Sequence, residues 1–510
     1  MTTTSSRCRP LSPSKERAQF WKPYPAYKPS GVEWLGDVPE HWEVKRGRFA
    51  MSVNPPAPRL RALKPEDEVS FVPMEAVGVG GGITLGQTRV ISEVSSGYTE
   101  FQDGDVVVAK ITPCFENGKA ALARGLLNGA AYGTTELHVL RAGQMMDRSF
   151  LFYVAISDTF RKLGESEMYG AGGQKRVPPE FNRNFRLPLP PSIEQRAIAA
   201  FLDRETGRVD RLVAKKRELI ERLKEKRTAL ISRTVTRGLP PAAARSAGIP
   251  ENPPLKPSGL DWLGNIPKHW EIRRLKDVGI LKGGAGFPHE EQGLEDEELP
   301  FYKVGDLKAS WDGRVMTKPE HTISKETARK LRAAIIPPDS VVYAKIGAAL
   351  LLNRRRITFS DCCIDNNMTA YLPDMCRIRS AWAFYWLSIL DFGEFMNPGT
   401  VPSFSEGYQA ILPVLIPPLP EQVAISEYLD AETAKLDALV GKVEEAVERL
   451  QEYRTALVTA AVTGKIDVRS AGTGSGVAQG YELPQPDALL AAEDGGEYSV
   501  ARHGQTAVQP

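Results

Sequence analysis

The chain contains itself twice, and that repetition limits its possible folds more than any local pattern does. Residues 28–47 read KPSGVEWLGDVPEHWEVKRG and residues 256–275 read KPSGLDWLGNIPKHWEIRRL, identical at twelve of twenty positions. A second pair closes each copy: PPSIEQRAIAAFLDRETGRVDRLV begins at Pro190 and PPLPEQVAISEYLDAETAKLDALV at Pro417. The opening pair is offset by 228 residues and the closing pair by 227, so the copies have nearly equal length. Between these ends the sequences diverge, although VVVAKI at 106–111 answers VVYAKI at 341–346, and Phe152 with Tyr153 answers Phe384 with Tyr385. Shared ends around divergent middles describe two modules built on one frame.

At 510 residues the chain exceeds a single core, and 42% hydrophobic residues supply two or more. Each middle carries β-rich runs (106–111 and 137–140; 341–346 and 369–372), many Gly and Pro, and one apolar helical stretch near its end. The expected fold class is α/β: two β-rich α/β domains joined by two long antiparallel coiled-coil helices, with pseudo-twofold symmetry. Lys+Arg (65) and Asp+Glu (63) nearly cancel to +2, so any surface for a polyanion must be local. No apolar run reaches membrane-span length, residues 1–27 lack a signal-peptide stretch, and Cys8, Cys114, Cys362, Cys363 and Cys376 form no C-x-x-C pair. A soluble cytoplasmic protein is expected.

A proline pair precedes each closing segment; Ser192 with Gln195 suits a capping box, and Pro420 a first helical position. Gly238 and Gly464 stand where the periodicity ends. Each helix would run some 45 residues, roughly 65 Å at ~1.5 Å per residue. Val209, Leu212, Leu219, Leu223 and Leu230 on the first, and Leu436, Leu439, Val443, Leu450 and Leu457 on the second, follow a 3,4 spacing that suits a pairing seam. The alternative is that each stripe packs on its own module. Charge favours pairing: residues 203–237 carry twelve basic and six acidic side chains, residues 430–467 five basic and eight acidic. The order of modules and helices then requires the two to run antiparallel, holding two different reading heads as a repressor dimer holds two equal ones.

The pattern resembles the specificity subunits of type I restriction-modification enzymes, on Y-x-x-Y-K-x-S-G-x-x-W-L-G-x-x-P-x-H-W from Tyr24 to Trp42 and on P-P-x-x-E-Q at 190–195 and 417–422. The resemblance covers roughly residues 24–467. It implies target-recognition domains at 28–189 and 256–416, long helices at 190–238 and 417–467, and a Pro-rich linker at 239–255. It further implies double-stranded DNA as ligand, read as a bipartite asymmetric sequence, and two methyltransferase subunits as partners that bring restriction subunits with them. S-adenosylmethionine, ATP and Mg belong to those partners; no cofactor is expected on this chain, and no membrane.

No catalytic centre is expected. Asn54-Pro55-Pro56-Ala57 is similar to the N-P-P-aromatic motif that grips a flipped adenine, but it lacks the stacking aromatic and reads as a turn. There is no P-loop, and Pro338-Asp339 with Tyr343-Ala344-Lys345 lacks a nuclease's second carboxylate. His41 and His269 each stand alone, without a ligand-spaced partner, and suit packing and hydrogen bonding.

Base reading needs Arg, Lys, Asn or Gln on segments that enter a groove. In the first module, residues 170–177 (GAGGQKRV) carry Gln174, Lys175 and Arg176; the corresponding 399–404 (GTVPSF) lack charge, which turns attention to Arg354, Arg355, Arg356, Asn366 and Asn367. A solvated charge run is the plainer account of each. Lys110 and Lys345 end the shared strand, as phosphate holders or as ordinary surface lysines. Residues 1–27 and the acidic tail 468–510 read as disordered. Three rivals remain beside the specificity-subunit reading: a stand-alone DNA-binding protein, a self-contained nuclease or methyltransferase, and a coiled-coil scaffold.

Overall fold

A computed structural model of the chain describes residues 22–171, 173–310, 313–396 and 401–469. Most of the expected arm (1–21) and tail (470–510) lies outside the described residues, as do Gly399 and Thr400. The described end of the arm is part of the core: Tyr24 is buried, and Tyr27–Pro29 is a strand paired with Asp37–Pro39.

The chain forms two compact units. Of the described residues, one takes those up to Val213 together with those from Glu448 onward, the other those from Ala214 to Val447. The division falls inside the long helices, so each unit owns the start of one and the end of the other.

In the first unit an antiparallel sheet runs Met51–Val53, Leu137–Ala142, Val106–Ala109, Ala120–Leu122. In the second the order is Gly279–Gly283, Met368–Pro373, Val341–Ala344, Arg355–Ile357, again antiparallel. Leu137 faces Ala109 in one and Met368 faces Ala344 in the other, so the strands recognised in sequence hold the same register. A second sheet in each unit contains a parallel pair, Glu68–Val72 with Ala130–Gly133 and Leu299–Tyr302 with Cys363–Ile364. The apolar helical stretches are Arg148–Ile156 and Ser380–Ser388, buried against the main cores.

The long helices span Ser192–Arg237 and Leu419–Val462, followed by Gly238 and Gly464 at φ +85° and +73°, a left-handed turn that glycine adopts without a Cβ penalty. Each carries buried positions that step by eleven along its length: Ile198, Val209, Ile220 and Ile231 on one, Ile425, Leu436, Val447 and Val458 on the other. Eleven residues over three turns is 3.67 per turn, close to a straight helix, whereas a heptad seam drifts around the surface. Of the expected seam, Val209, Leu223, Leu436 and Leu457 are buried, while Leu212, Leu219, Leu230, Leu439, Val443 and Leu450 are half-buried. Ion pairs join the helices within each unit, Asp210–Arg454 (2.9 Å) in the first and Arg227–Asp437 (3.0 Å) in the second. In the first the acid lies on the basic helix, so net charge does not dictate individual partners.

The shared sequence ends meet at the start of each long helix. The buried Glu194 carboxylate accepts from Tyr24 Oη (2.6 Å) and Trp42 Nε1 (3.0 Å) and lies 2.7 Å from His41 Nε2. Glu421 pairs with His269 Nε2 at 2.8 Å, but Trp270 Nε1 has no partner among the described residues. Gln195 is not a capping residue: its amide donates to Met145 O and Pro190 O and accepts from Asp147 N. Gln422 repeats the arrangement on Arg377 O, Pro417 O and Arg379 N. The Glu-Gln pair thus ties helix to opening motif and to module. The end of the other helix closes the same core, Gly464 against Trp42 and Gly238 against Trp270, where a Cβ on Gly464 would lie 2.4 Å from Pro39.

Because Glu194 serves three donors and Glu421 one, Glu194→Ala should destabilise the chain by about 3–5 kcal/mol and Glu421→Ala by about half as much, since each buried donor left unpaired costs ~1–3 kcal/mol. Urea denaturation of the two variants checks the order.

Candidate nucleic-acid interface

Lys110 and Lys345 stand just past the equivalent central strands Val106–Ala109 and Val341–Ala344, and the backbone around them is the same in both units. Lys110 N donates to Glu136 O and Lys345 N to Asn367 O, at 2.9 and 2.8 Å. The lysine carbonyls accept from Val177 N and Phe404 N, both at 2.8 Å, and the next residues form single bridges, Ile111 with Arg176 and Ile346 with Ser403. One step further, Thr112 N donates to Lys175 O and Gly347 N to Pro402 O. The hydrogen bonds therefore align Lys110 with Lys345, Glu136 with Asn367, Lys175 with Pro402, Arg176 with Ser403 and Val177 with Phe404.

On this common backbone the side chains differ. Gln174 and Lys175 are exposed at a turn, and Arg176 makes a two-pronged pair with Glu136, Nε to Oε2 at 2.9 Å and Nη2 to Oε1 at 2.8 Å. That pair holds the Glu136 carboxyl below its ordinary range and the guanidinium above its own. No ion pair binds Lys110 among the described residues, whereas Lys345 Nζ lies 3.1 Å from Glu406 and is largely covered. Asn366 is exposed and Asn367 half-buried beside Lys345, and Arg354 is exposed at the neighbouring strand end.

Arg355 is a correction. It is 3% exposed, its guanidinium lies 3.8 Å over the Phe392 ring, and it donates to the carbonyls of Asn353 and Leu390. Burial pushes it down to about 10. It reaches no ligand; alternation along Arg355–Ile357 turns it inward. Arg356, on the other face, spends Nη1 on the Arg355 carbonyl at 2.7 Å.

Glu136, Ser403 and His138 carry weight that the sequence reading missed. The signal for Glu136 was its place directly before strand Leu137–Ala142, as Asn367 precedes Met368–Pro373. His138 is buried, with Nε2 2.8 Å from Val177 O, and its Nδ1 faces Asn54 Nδ2 at 3.4 Å while Asn54 Oδ1 accepts from Val139 N. Asn54 itself is left-handed at φ +51°, in a bend that answers the turn expected at Asn54-Pro55-Pro56-Ala57. Among the described residues no group of three or more His, Cys, Asp and Glu is placed to hold a metal, and no helix is long and apolar enough to cross a membrane.

The two α/β units thus each hold the start of one long helix and the end of the other, and carry equivalent strand-end sites whose side chains differ. Residues 267–449 match the family model described as type I restriction modification DNA specificity domain. The chain is 37% identical over 185 residues to the type I restriction enzyme EcoEI specificity subunit of Escherichia coli, covering 36% of this chain and 31% of that protein. It is 41% identical over 164 residues to the EcoAI specificity subunit of the same species, covering 32% and 27%. The matched segment thus spans less than a third of the length of either relative. A chain solved in work on complex assembly and conformational transition of the type I R-M system shares the fold, with a TM-score of 0.64 at 20% identity, over 84% of this chain and 99% of that one. Over these segments the chain is similar to the specificity subunits of type I restriction enzymes.

Burial, the dominant cause, with Lys110 assisting, pushes the His138 imidazole down to about 4. The unfolded state therefore takes up a proton as pH falls below ~6.5 while the folded state does not, and stability is lost in that window. Between pH 7 and pH 5 the loss should be about 2 kcal/mol, and His138→Gln should lack that increment when both proteins are denatured in guanidinium at the two pH values.

Proposed function

We propose that this chain is the DNA sequence-recognition subunit of a type I restriction-modification complex. It reads a bipartite asymmetric target and directs methyltransferase and restriction subunits to it, and it performs no chemistry itself. The observation that carries the reading is the pair of strand-end sites, identical in backbone and different in side chains: Glu136 and Arg176 in one unit, Asn367 and Ser403 in the other. Two sites that share a frame and differ in donors and acceptors suit two different base sequences.

In this reading the units are target-recognition domains joined by the long helices running antiparallel, and Lys110 and Lys345 hold phosphate in both. Glu406 then yields Lys345 to a phosphate oxygen on binding. Gln174, Lys175, Arg354 and Asn366 extend the contact around each strand end. The helices are the docking surface for two methyltransferase subunits, through which restriction subunits join. S-adenosylmethionine, ATP and Mg serve those partners, and the complex works in the cytoplasm.

Exchanging residues 43–189 for the equivalent segment of a relative should change one half of the recognised sequence and leave the other half intact, as read by mapping adenine methylation in a host that supplies the methyltransferase partner. Binding should also weaken steeply with salt, by about a thousandfold between 50 and 200 mM if six or more phosphates are neutralised. A segment exchange that alters both halves would refute the division of labour, and methylation unchanged by loss of the chain would refute the function.

A further inference from the structure

Arg176 and Glu136 form an unusual element for a surface that would meet DNA, because a carboxylate there repels phosphate and neutralises the nearest cation. The geometry gives that carboxylate a use. Glu136 binds the guanidinium along one side, through Nε and Nη2, at 2.8–3.2 Å. Nη1 makes no hydrogen bond among the described residues, and Nη2 keeps one N–H, so the outer fork of the guanidinium remains available. The side chain is still 41% exposed. Its backbone is fixed as well, by bridges to Ile111 and Tyr169 and by Val177 N on Lys110 O.

We infer that Arg176, oriented by Glu136, reads the O6 and N7 edge of a guanine in the half-site of the first unit, and that Asn367, at the backbone position of Glu136, itself reads a base in the second. An Arg fork is the donor pair that guanine's two major-groove acceptors require, and a carboxylate on its other side fixes the plane of that fork before DNA arrives. It also penalises wrong bases, since an Arg already paired gains little from phosphate alone. At the matching place Asn367 offers one amide donor and one acceptor, the pattern that adenine N7 and N6 demand. The Asn367 backbone N–H donates to Asp365 Oδ1, while neither the Asn367 side-chain amide nor the Ser403 hydroxyl makes a hydrogen bond among the described residues. Glu136 is a positioning residue, Arg176 and Asn367 specificity-determining ones.

The inference rests on the proposed function, and one experiment separates their failures. Full-length chain, wild type or variant, selects bound duplexes from a pool with randomised positions, and the enriched sequences are compared. Wild type should return an interrupted two-part motif. Arg176→Ala should lose the preference for one G·C pair by about tenfold or more, with the other positions and the second half unchanged. Arg176→Lys should not restore it, because an ammonium has no fork. Glu136→Gln should weaken the same preference by a smaller factor while binding to unrelated DNA tightens. Asn367→Ala should flatten one position in the other half. A pair with only a structural role would lower the melting temperature of these variants and leave the base preferences as they are, which overturns the inference. Should wild type return a two-part motif that Arg176→Ala, Arg176→Lys and Glu136→Gln all leave untouched, the function stands and the inference alone falls. If wild type returns no motif, both fall.

Discussion

The buried carboxylate at the start of each long helix is the constraint on which both units depend. A carboxylate out of water is tolerated only when donors surround it. Glu194 finds Tyr24, His41 and Trp42, all from the opening motif some 150 residues earlier. That requirement explains why the two ends of each copy stay alike while the middle does not: the donors and the acceptor form one object in space. The adjacent glutamine ties the same helix turn to the backbone of the module, and Gly464 and Gly238 bring the end of the other helix against the same tryptophan. Each unit therefore closes only when residues from both halves of the sequence are present, and neither copy of the repeat corresponds to an independent folded body.

The second copy has a lighter version of this clamp. Glu421 keeps its histidine, but nothing replaces Tyr24 and Trp270 Nε1 is left without a partner among the described residues. Unit two compensates with aromatic bulk: Trp270 packs edge-on against Trp382, and Trp382 and Trp386 donate their indole N–H groups to Leu415 O and Pro413 O. Polar satisfaction in one unit is exchanged for aromatic burial in the other, with the same backbone result.

The frame was legible in sequence because it repeats. The strands near 106 and 341, the apolar helices, the long helices and their terminal glycines all follow from patterns that occur twice. Three things were not legible. The buried stripe includes eleven-residue steps, and at the scale of a few turns heptad and eleven-residue patterns share most positions. The inward turn of Arg355 depends on which face of its strand meets Phe392, a tertiary fact. The match of Arg176 with Ser403 rests on backbone hydrogen bonds, and the side chains involved share no chemistry.

That last difficulty explains how two sites on one frame can vary. What the frame requires near Lys110 and Lys345 is a set of satisfied backbone groups, and different side chains meet that requirement from different directions. The carbonyl of Val177 accepts from His138, on the strand beneath it. The carbonyl of the equivalent Phe404 accepts instead from Gln409, on the helix that follows, whose own amide oxygen accepts from Tyr343. With the loop pinned in either way, the neighbouring positions have no structural duty to the main chain. Glu136 and Arg176 can pair with each other, or Asn367 and Ser403 can stand open, without moving the backbone that presents them. A surface whose supports are separate from its exposed side chains can change those side chains one at a time, and two copies of it in one chain can do so independently.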